Sequence, residues 1–327
     1  MNTAATMMIL GAFFLPHETV YRWQSYSIKG DTLYALKTVS IKAINIPIPE
    51  RGGIKVLEKK YQVVKIDLTG QKQEPVSINY RLEPKQPIGN NHLNDSFGYY
   101  EYIELNDNAP PILWGHKELK DRLMKADGVA CTENEMGNVD YDSQDSRVFY
   151  LKCRNKNIAY RIELPSMHAA AIPLGEAAGL PSDNGPSFYS TLGQNTVFIS
   201  TGREAYEIAI GSKNKAKKIE TIESGIYSPR DRSKKSLIGV AKGLRIYQLS
   251  QFSKKTAQLS VEYDQQAPRI FPLPMALVTF GYSEARYLPR NNLMMWEVEG
   301  EIMEKKVIYT VNLDSGVVHR TVVSDVE

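Results

Sequence analysis

Residues that could do chemistry are few in this chain and far apart. The densest group is an acidic stretch, Glu133–Asp145 (ENEMGNVDYDSQD), in which Asp140, Asp142 and Asp145 offer the hard oxygen ligands that Ca2+ takes. Their spacing departs from an EF-hand loop, which needs glycine at its sixth position and glutamate at its twelfth. A solvated turn leading into Arg147–Cys153 is the favoured reading, and Ca2+ is the one cofactor the sequence offers. The histidines, His17, His92, His116, His168 and His319, are dispersed, and a lone His168 reads as structural or exposed. Glu297 and Glu299 alternate on one face of an apolar strand, a pattern that a solvated edge explains as well as a catalytic pair does.

Motifs nominate no catalytic residue. A nucleophile elbow needs Gly-x-Ser-x-Gly, so that a strained turn exposes the serine, and it is absent. The phosphate-cradling Gly-x-x-x-x-Gly-Lys-Ser/Thr, the zinc-binding His-Glu-x-x-His and Gly-x-Gly-x-x-Gly are absent as well. Glycoside hydrolysis needs only two carboxyl groups about 5–10 Å apart, and with 37 Asp and Glu residues the sequence cannot choose a pair. Cys131 and Cys153 form no Cys-x-x-Cys and have no second pair, which excludes a zinc site of that kind. They fit a reducing compartment, one disulfide in an exported protein, or two buried free thiols.

The chain is 42% hydrophobic and 24% charged, enough for a packed core and too balanced for wholesale disorder. A net charge of +3 is too mild for the basic stripe that nucleic acid requires, so no nucleic-acid partner is expected. No run approaches the about 18 apolar residues of a transmembrane helix, and a soluble protein, cytoplasmic rather than exported, is favoured. Ala4–Leu15 (AATMMILGAFFL) has the length of a signal-peptide core, yet Met1–Thr6 carries no Lys or Arg and no clear Ala-x-Ala follows. It reads as a strand of the fold.

The elements that would position these residues are legible at the C-terminal end. Asn291–Val323 reads as three strands: Leu293–Val298, Val307–Leu313 and Val317–Val323, the last two joined by the tight-turn signal Asp314-Ser315-Gly316. The centre of this meander recurs as Tyr-x-Ile/Val/Leu, at Tyr160, Tyr206, Tyr247 and Tyr309, spaced by 46, 41 and 62 residues. Val64-Lys-Ile-Asp-Leu68 is an earlier version without the tyrosine, and FGYYEYIEL (97–105) is a degenerate one. The tyrosines read as structural, packing between sheets.

A period of about 40–50 residues with several strands per repeat is the signature of propeller blades. One meander is a thin sheet with two apolar faces, and packing sheets around a ring covers both. The rhythm resembles generic β-propeller blades, including those of the TolB-like and quinoprotein-like groups. The resemblance implies an all-β propeller of about six or seven blades, one domain over 1–327; a pair of β-sandwiches is the alternative. Its last ring strand, Met7–Phe14, would pair near Val317–Val323. Pro and Gly make 44–57 a projecting hairpin. The stretch 116–126, with Leu119 and Leu123 in one stripe and Glu118 four residues before Arg122, is an inserted helix. Ser166–Gly185 reads as an inter-blade crossing, and Met275–Gly281 (MALVTFG) as the innermost strand of the last blade. The basic residues Lys213, Lys215, Lys217, Lys218, Arg230, Arg232, Lys234, Lys235, Lys254 and Lys255 fall in turns that could share one rim.

Fold carries no function. With no catalytic signature, the expected role is a non-enzymatic protein-binding or scaffold propeller, an inhibitor or immunity-type protein among them, whose partner is a protein. The alternative is a propeller enzyme, a glycoside hydrolase or lactonase-like protein, using carboxylates in the central channel.

Overall fold

The computed structural model of the chain describes residues 17–28, 32–44, 54–69, 72–77, 79–80, 102–106, 108–142, 145–153, 156–164, 166–180, 187–190, 195–200, 204–211, 215–221, 233–241, 243–251, 255–280, 284–302 and 305–323. Long apolar runs broken by turn residues give strands that bury both faces, because successive side chains point to opposite sides. Blade one is β1 (His17–Ser27), β2 (Thr32–Ile44), β3 (Ile54–Asp67) and β4 (Gln73–Val76). A smaller sheet of β5 (Asn79–Tyr80), β6 (Tyr102–Asn106) and β7 (Ala109–Trp114) follows, then helix α1 (His116–Leu123). Blade two is β8 (Met136–Tyr141), β9 (Val148–Cys153), β10 (Ile158–Glu163) and β11 (His168–Pro173). Blade three is β12 (Ser187–Ser190), β13 (Thr196–Ser200), β14 (Glu204–Ala209) and β15 (Lys217–Thr221). Blade four is β16 (Ser233–Ala241), β17 (Leu244–Gln251), β18 (Thr256–Tyr263) and β19 (Arg269–Pro272). Helix α2 (Ala276–Thr279) leads into blade five, β20 (Glu284–Leu288), β21 (Leu293–Ile302), β22 (Lys305–Asn312) and β23 (Val318–Val323).

In every blade the strands lie side by side in chain order, and the chain is an all-β propeller. Blade five packs one face, with Met294, Trp296 and Val298, on Ile246, Leu259 and Val261 of blade four. Its other face, with Leu293, Met295 and Ile308, packs on Trp23, Leu33 and Ile66 of blade one, so the last blade meets the first. The reverse of blade one, with Tyr26, Leu36 and Val63, rests on Ile103, Leu105 and Leu113 of the small sheet. Tyr102 of that sheet and Leu119 and Leu123 of α1 then cover Phe149, Leu151 and Tyr160 of blade two. Val148, Tyr150 and Ile172 on the far side of blade two pack on Val197, Ile199 and Tyr206 of blade three.

The propeller therefore has five four-stranded blades among the described residues, not six or seven. Among the described residues, the stretch between blades one and two gives a three-stranded sheet in place of a four-stranded blade, and it sits between them as a blade would. Pro110 and Pro111 open β7, and proline donates nothing to a ladder, so this sheet stays short. α1 follows this sheet, and its Leu119 and Leu123 are fully buried as the stripe requires. Arg122 turns from Glu118 to Glu104 on β6 and lies 4.8 Å over the Trp114 ring.

Three further expectations change. MALVTFG is not a strand: Pro272 and Pro274 stop the ladder, and the run closes into α2, burying Leu277 while Met275 and Phe280 stay exposed. The innermost strand of blade five is β20 instead. Ser166–Gly185 is more than a crossing, because a tight turn with Met167 at φ 55° sends the chain back as β11. The tyrosine repeat also slips once. Tyr160, Tyr206 and Tyr309 lie on third strands, whereas Tyr247 lies on β17, the second strand of its blade. That slip produces the uneven spacings of 41 and 62 residues. The predicted turn at Gly316 does hold, with φ 75° and the Phe271 ring where a Cβ would stand. The expected ring strand Met7–Phe14 lies outside the described residues, as do 45–53 of the expected projecting hairpin 44–57.

Cys131 and Cys153 form a disulfide with Cα atoms 5.9 Å apart, tying the segment after α1 to β9 across a separation of 22 residues. Both cysteines are buried. Closing a loop of that size restricts the unfolded chain by about 3 kcal/mol. The Cys131→Ser/Cys153→Ser variant is expected to lose about that much unfolding free energy in urea, with the fold retained by circular dichroism.

Candidate functional site at the hub of the ring

The first strands of three blades meet at the hub through one buried ion cluster. Glu297 stands on β21 between Trp296 and Val298, and register places it on the same face as Arg286 of β20 and Lys306 of β22. All three are buried, at 2%, 0% and 1% exposure, which makes this a matter of charge burial rather than surface pairing. Lys306 Nζ pairs with the Glu297 carboxylate, and Arg286 Nη2 lies 3.8 Å from its other oxygen. Arg286 Nη2 also donates to the Ser25 carbonyl on β1 at 2.7 Å and to the Tyr141 hydroxyl on β8 at 3.2 Å. Its guanidinium lies 5.3 Å from the centre of the Tyr141 ring. Beside it, the Ser146 N–H donates to the Ser27 carbonyl at 2.8 Å and Tyr26 packs on Tyr141 at 5.9 Å, joining blades one and two.

Burial pushes the Glu297 carboxyl up, but the adjacent Lys306 and Arg286 charges outweigh it and hold the group below its ordinary value. It is an ionised carboxylate enclosed by cations and side chains, so it has no access to substrate. The expectation of a solvated edge is corrected for Glu297, because the apolar face of blade one covers it. The Glu299 side chain lies outside the described residues. Sequence reasoning missed Arg286 and Lys306; the one signal was a carboxylate inside the otherwise apolar run LMMWEV.

The acidic stretch becomes β8 and the turn after it. Asp140 is exposed on β8, opposite Tyr150. Asp142 is fully buried and accepts from the Tyr150 hydroxyl at 2.6 Å and from the Asp145 N–H at 3.2 Å. Asp145 accepts from the Arg147 N–H at 3.0 Å and pairs with its guanidinium at 3.1 Å. Burial pushes the Asp145 carboxyl above its usual range, with Arg147 drawing it back. Two of the three carboxylates thus hold the turn together. Among the described residues no group of three or more His, Cys, Asp and Glu side chains is placed to hold a metal ion. His168 and His319 are exposed on blades two and five.

All four repeated tyrosines are buried, and the hydroxyls of Tyr206 and Tyr309 reach carboxylates. Tyr309 donates to Glu301 at 2.8 Å, and Arg320 Nε donates to that hydroxyl at 3.2 Å. Tyr206 donates to Glu204, which also holds Lys218. Burial first, then Glu204, pushes the Tyr206 hydroxyl up to about 12. The basic residues do not share a rim. Lys215 precedes β15, at the end of blade three where its third and fourth strands join, while Lys235 and Lys255 lie at the opposite end, where second strands pass to third. Lys213, Arg230, Arg232 and Lys254 lie outside the described residues.

No protein-family model matches the chain, and no curated protein matches it in sequence. Among solved structures it is similar to an oligogalacturonate lyase in complex with manganese, at 8% identity and a TM-score of 0.36, covering 93% of this chain and 85% of that one. A candidate 6-phosphogluconolactonase from Bacteroides fragilis is similar at 8% identity and a TM-score of 0.32, with 91% and 83% covered. The WD40 domain of SCAP from fission yeast is similar at 6% identity and a TM-score of 0.27, with 95% and 66% covered. Likeness this shallow carries no statement about chemistry.

Removing one partner from a buried ion cluster leaves the others uncompensated, at a cost of about 3–5 kcal/mol. Glu297→Gln is therefore expected to lower the unfolding free energy by about that much at neutral pH. Because the folded carboxyl titrates below its unfolded value of about 4.3, its contribution is present above that value and is lost as pH falls through the folded one. Urea titrations at a series of pH values are expected to show the wild type weakening in acid and the variant less dependent on pH there.

Proposed function

We propose that this protein is a non-enzymatic binding propeller that engages a protein partner through blade one. The observation that carries the reading is the length of that blade's central hairpin. β2 and β3 run for 13 and 14 residues, against 6 each for β9 and β10 in blade two. β1 accompanies them, pairing as far as His17 with Ala43, so a three-stranded ribbon runs on past β4, which pairs only with residues 63–66 of β3. A ribbon that outruns its blade is a candidate contact element, since surface projections of this kind often carry function. The enzyme reading loses its nearest candidates, since Glu297, Asp142 and Asp145 are engaged by cations, hydroxyls and backbone within the fold.

The pairing of Cys131 with Cys153 supports an oxidising compartment, outside the cytoplasm, as the place of action. No helix among the described residues is long and apolar enough to cross a membrane.

The test is affinity capture from lysate and culture fluid of the source organism, comparing intact protein with a variant whose residues 44–57 are replaced by a short turn. A partner retained by the intact protein and lost by an equally stable variant is the expected result. Absence of any partner, together with turnover of a glycan or lactone substrate, would overturn the reading.

A further inference from the structure

Independently of the blade-one reading, we infer that the face of the ring around α2 docks on an anionic lipid bilayer, with Met275 and Phe280 entering the headgroup region and Lys255 and Lys305 meeting its charge. Five large apolar side chains are exposed among the described residues, and three of them, Ile270, Met275 and Phe280, lie within 270–280. Single apolar residues scattered over a surface are ordinary, whereas a cluster of them marks a contact. This stretch leaves the fourth strand of blade four and crosses to the first strand of blade five. Strands alternate in direction within a blade, so a fourth strand ends on the face where second strands turn into third ones. α2 therefore lies on that face. Its inner side is fixed: Leu277 is buried, and Ala276 and Val278 pack on the core that holds Leu259 and Val298. The Leu273 N–H donates to the Ala257 carbonyl at 2.9 Å, which ties the crossing to β18. Met275 and Phe280, at the two ends of α2, are left 62% and 49% exposed.

Charge selects the occupant. From 265 to 283 the chain carries no acid, and its one charged residue is Arg269. On the same face Lys255 stands immediately before β18, and Lys305 opens β22 opposite Ile302; both are exposed. Glu301, at the end of β21, is already engaged, accepting from Tyr309 at 2.8 Å and from Arg320 at 2.9 Å. Protruding apolar side chains flanked by lysines are the pattern of an interfacial membrane contact, in which apolar groups enter the headgroup boundary and cations meet anionic lipid. A second copy of this chain fits less well, because a two-fold contact sets the same lysines against each other. A bilayer closes around anchors that stand this far out of the surface, whereas a protein partner would need a matching pocket for each.

The experiment is flotation of the full-length protein with vesicles of phosphatidylcholine alone and of phosphatidylcholine mixed with phosphatidylglycerol, followed by hydrogen exchange on the bound protein. The expected result is flotation with the anionic vesicles, weakened by added salt, and slower exchange at 275–280. Met275→Ser/Phe280→Ser is expected to lower the partition coefficient by at least about tenfold, and Lys255→Glu/Lys305→Glu by about the same factor on the anionic vesicles. All four side chains are exposed, so both variants are expected to keep the wild-type urea curve. Met275→Ser and Phe280→Ser singly each carry part of the loss, which keeps the test readable if a double variant unfolds. No flotation with either vesicle, equal flotation with the neutral one, variants that float as the wild type does, a dimer that Met275→Ser/Phe280→Ser dissolves, or a soluble protein captured through these residues in place of lipid would overturn the proposal. None of these outcomes bears on the blade-one reading, which the replacement of 44–57 tests separately.

Discussion

Glu297 is a carboxylate in the middle of an apolar strand, and three strands of blade five are arranged around its charge. Lys306 and Arg286 flank it, and Arg286 carries the connection on to Ser25 in blade one and Tyr141 in blade two. Burying a charge costs several kcal/mol unless its partners are in place. The cluster is therefore satisfied only when blades one, two and five occupy their positions together. The apolar contact of Leu293, Met295 and Ile308 with Trp23, Leu33 and Ile66 supplies area there, but apolar contact is non-directional. The ion cluster adds the geometry, fixing how the last blade sits against the first.

At the hub the Glu297 carboxylate is matched by the Lys306 and Arg286 charges. Asp142 and Asp145 repeat this at the turn after β8, where each carboxylate holds backbone or side-chain donors of the same turn. At the periphery, blade one extends its first three strands past the fourth, and the proposed binding reading places recognition there.

Much of the fold was legible in the sequence, because a propeller blade is a local unit. The strands of blade five were readable from alternating runs of apolar and turn residues, and the Asp314-Ser315-Gly316 turn from its chemistry. Leu119 and Leu123 gave away α1. What was not legible depends on neighbours distant in sequence. MALVTFG looks like a strand on its own, and only prolines on its N-terminal side and the absence of a ladder partner turn it into α2. Tyr247 fits the repeat by type but sits on a second strand, since strand order within a blade is set by pairing and not by motif. The blade count failed for a related reason, since the described residues between blades one and two form α1 and a short three-stranded sheet rather than a four-stranded blade. The hub cluster was hidden most completely: Glu297, Arg286 and Lys306 come from three strands, and nothing in their sequence neighbourhoods states that they share a face.

The account stands on the hub cluster being a structural lock and not a reacting centre. The most direct measurement is the unfolding free energy in urea of a variant in which the whole cluster is apolar, Arg286→Met/Glu297→Leu/Lys306→Met, with hydrogen exchange across β1, β8 and β20. Replacing a complete buried ion cluster with apolar residues of similar volume is often neutral or stabilising. The predicted result is a folded protein whose stability lies within about 2 kcal/mol of the wild type and whose rim still captures the same partner. A variant that folds normally but loses partner capture would contradict the account, because the charges would then be serving function directly.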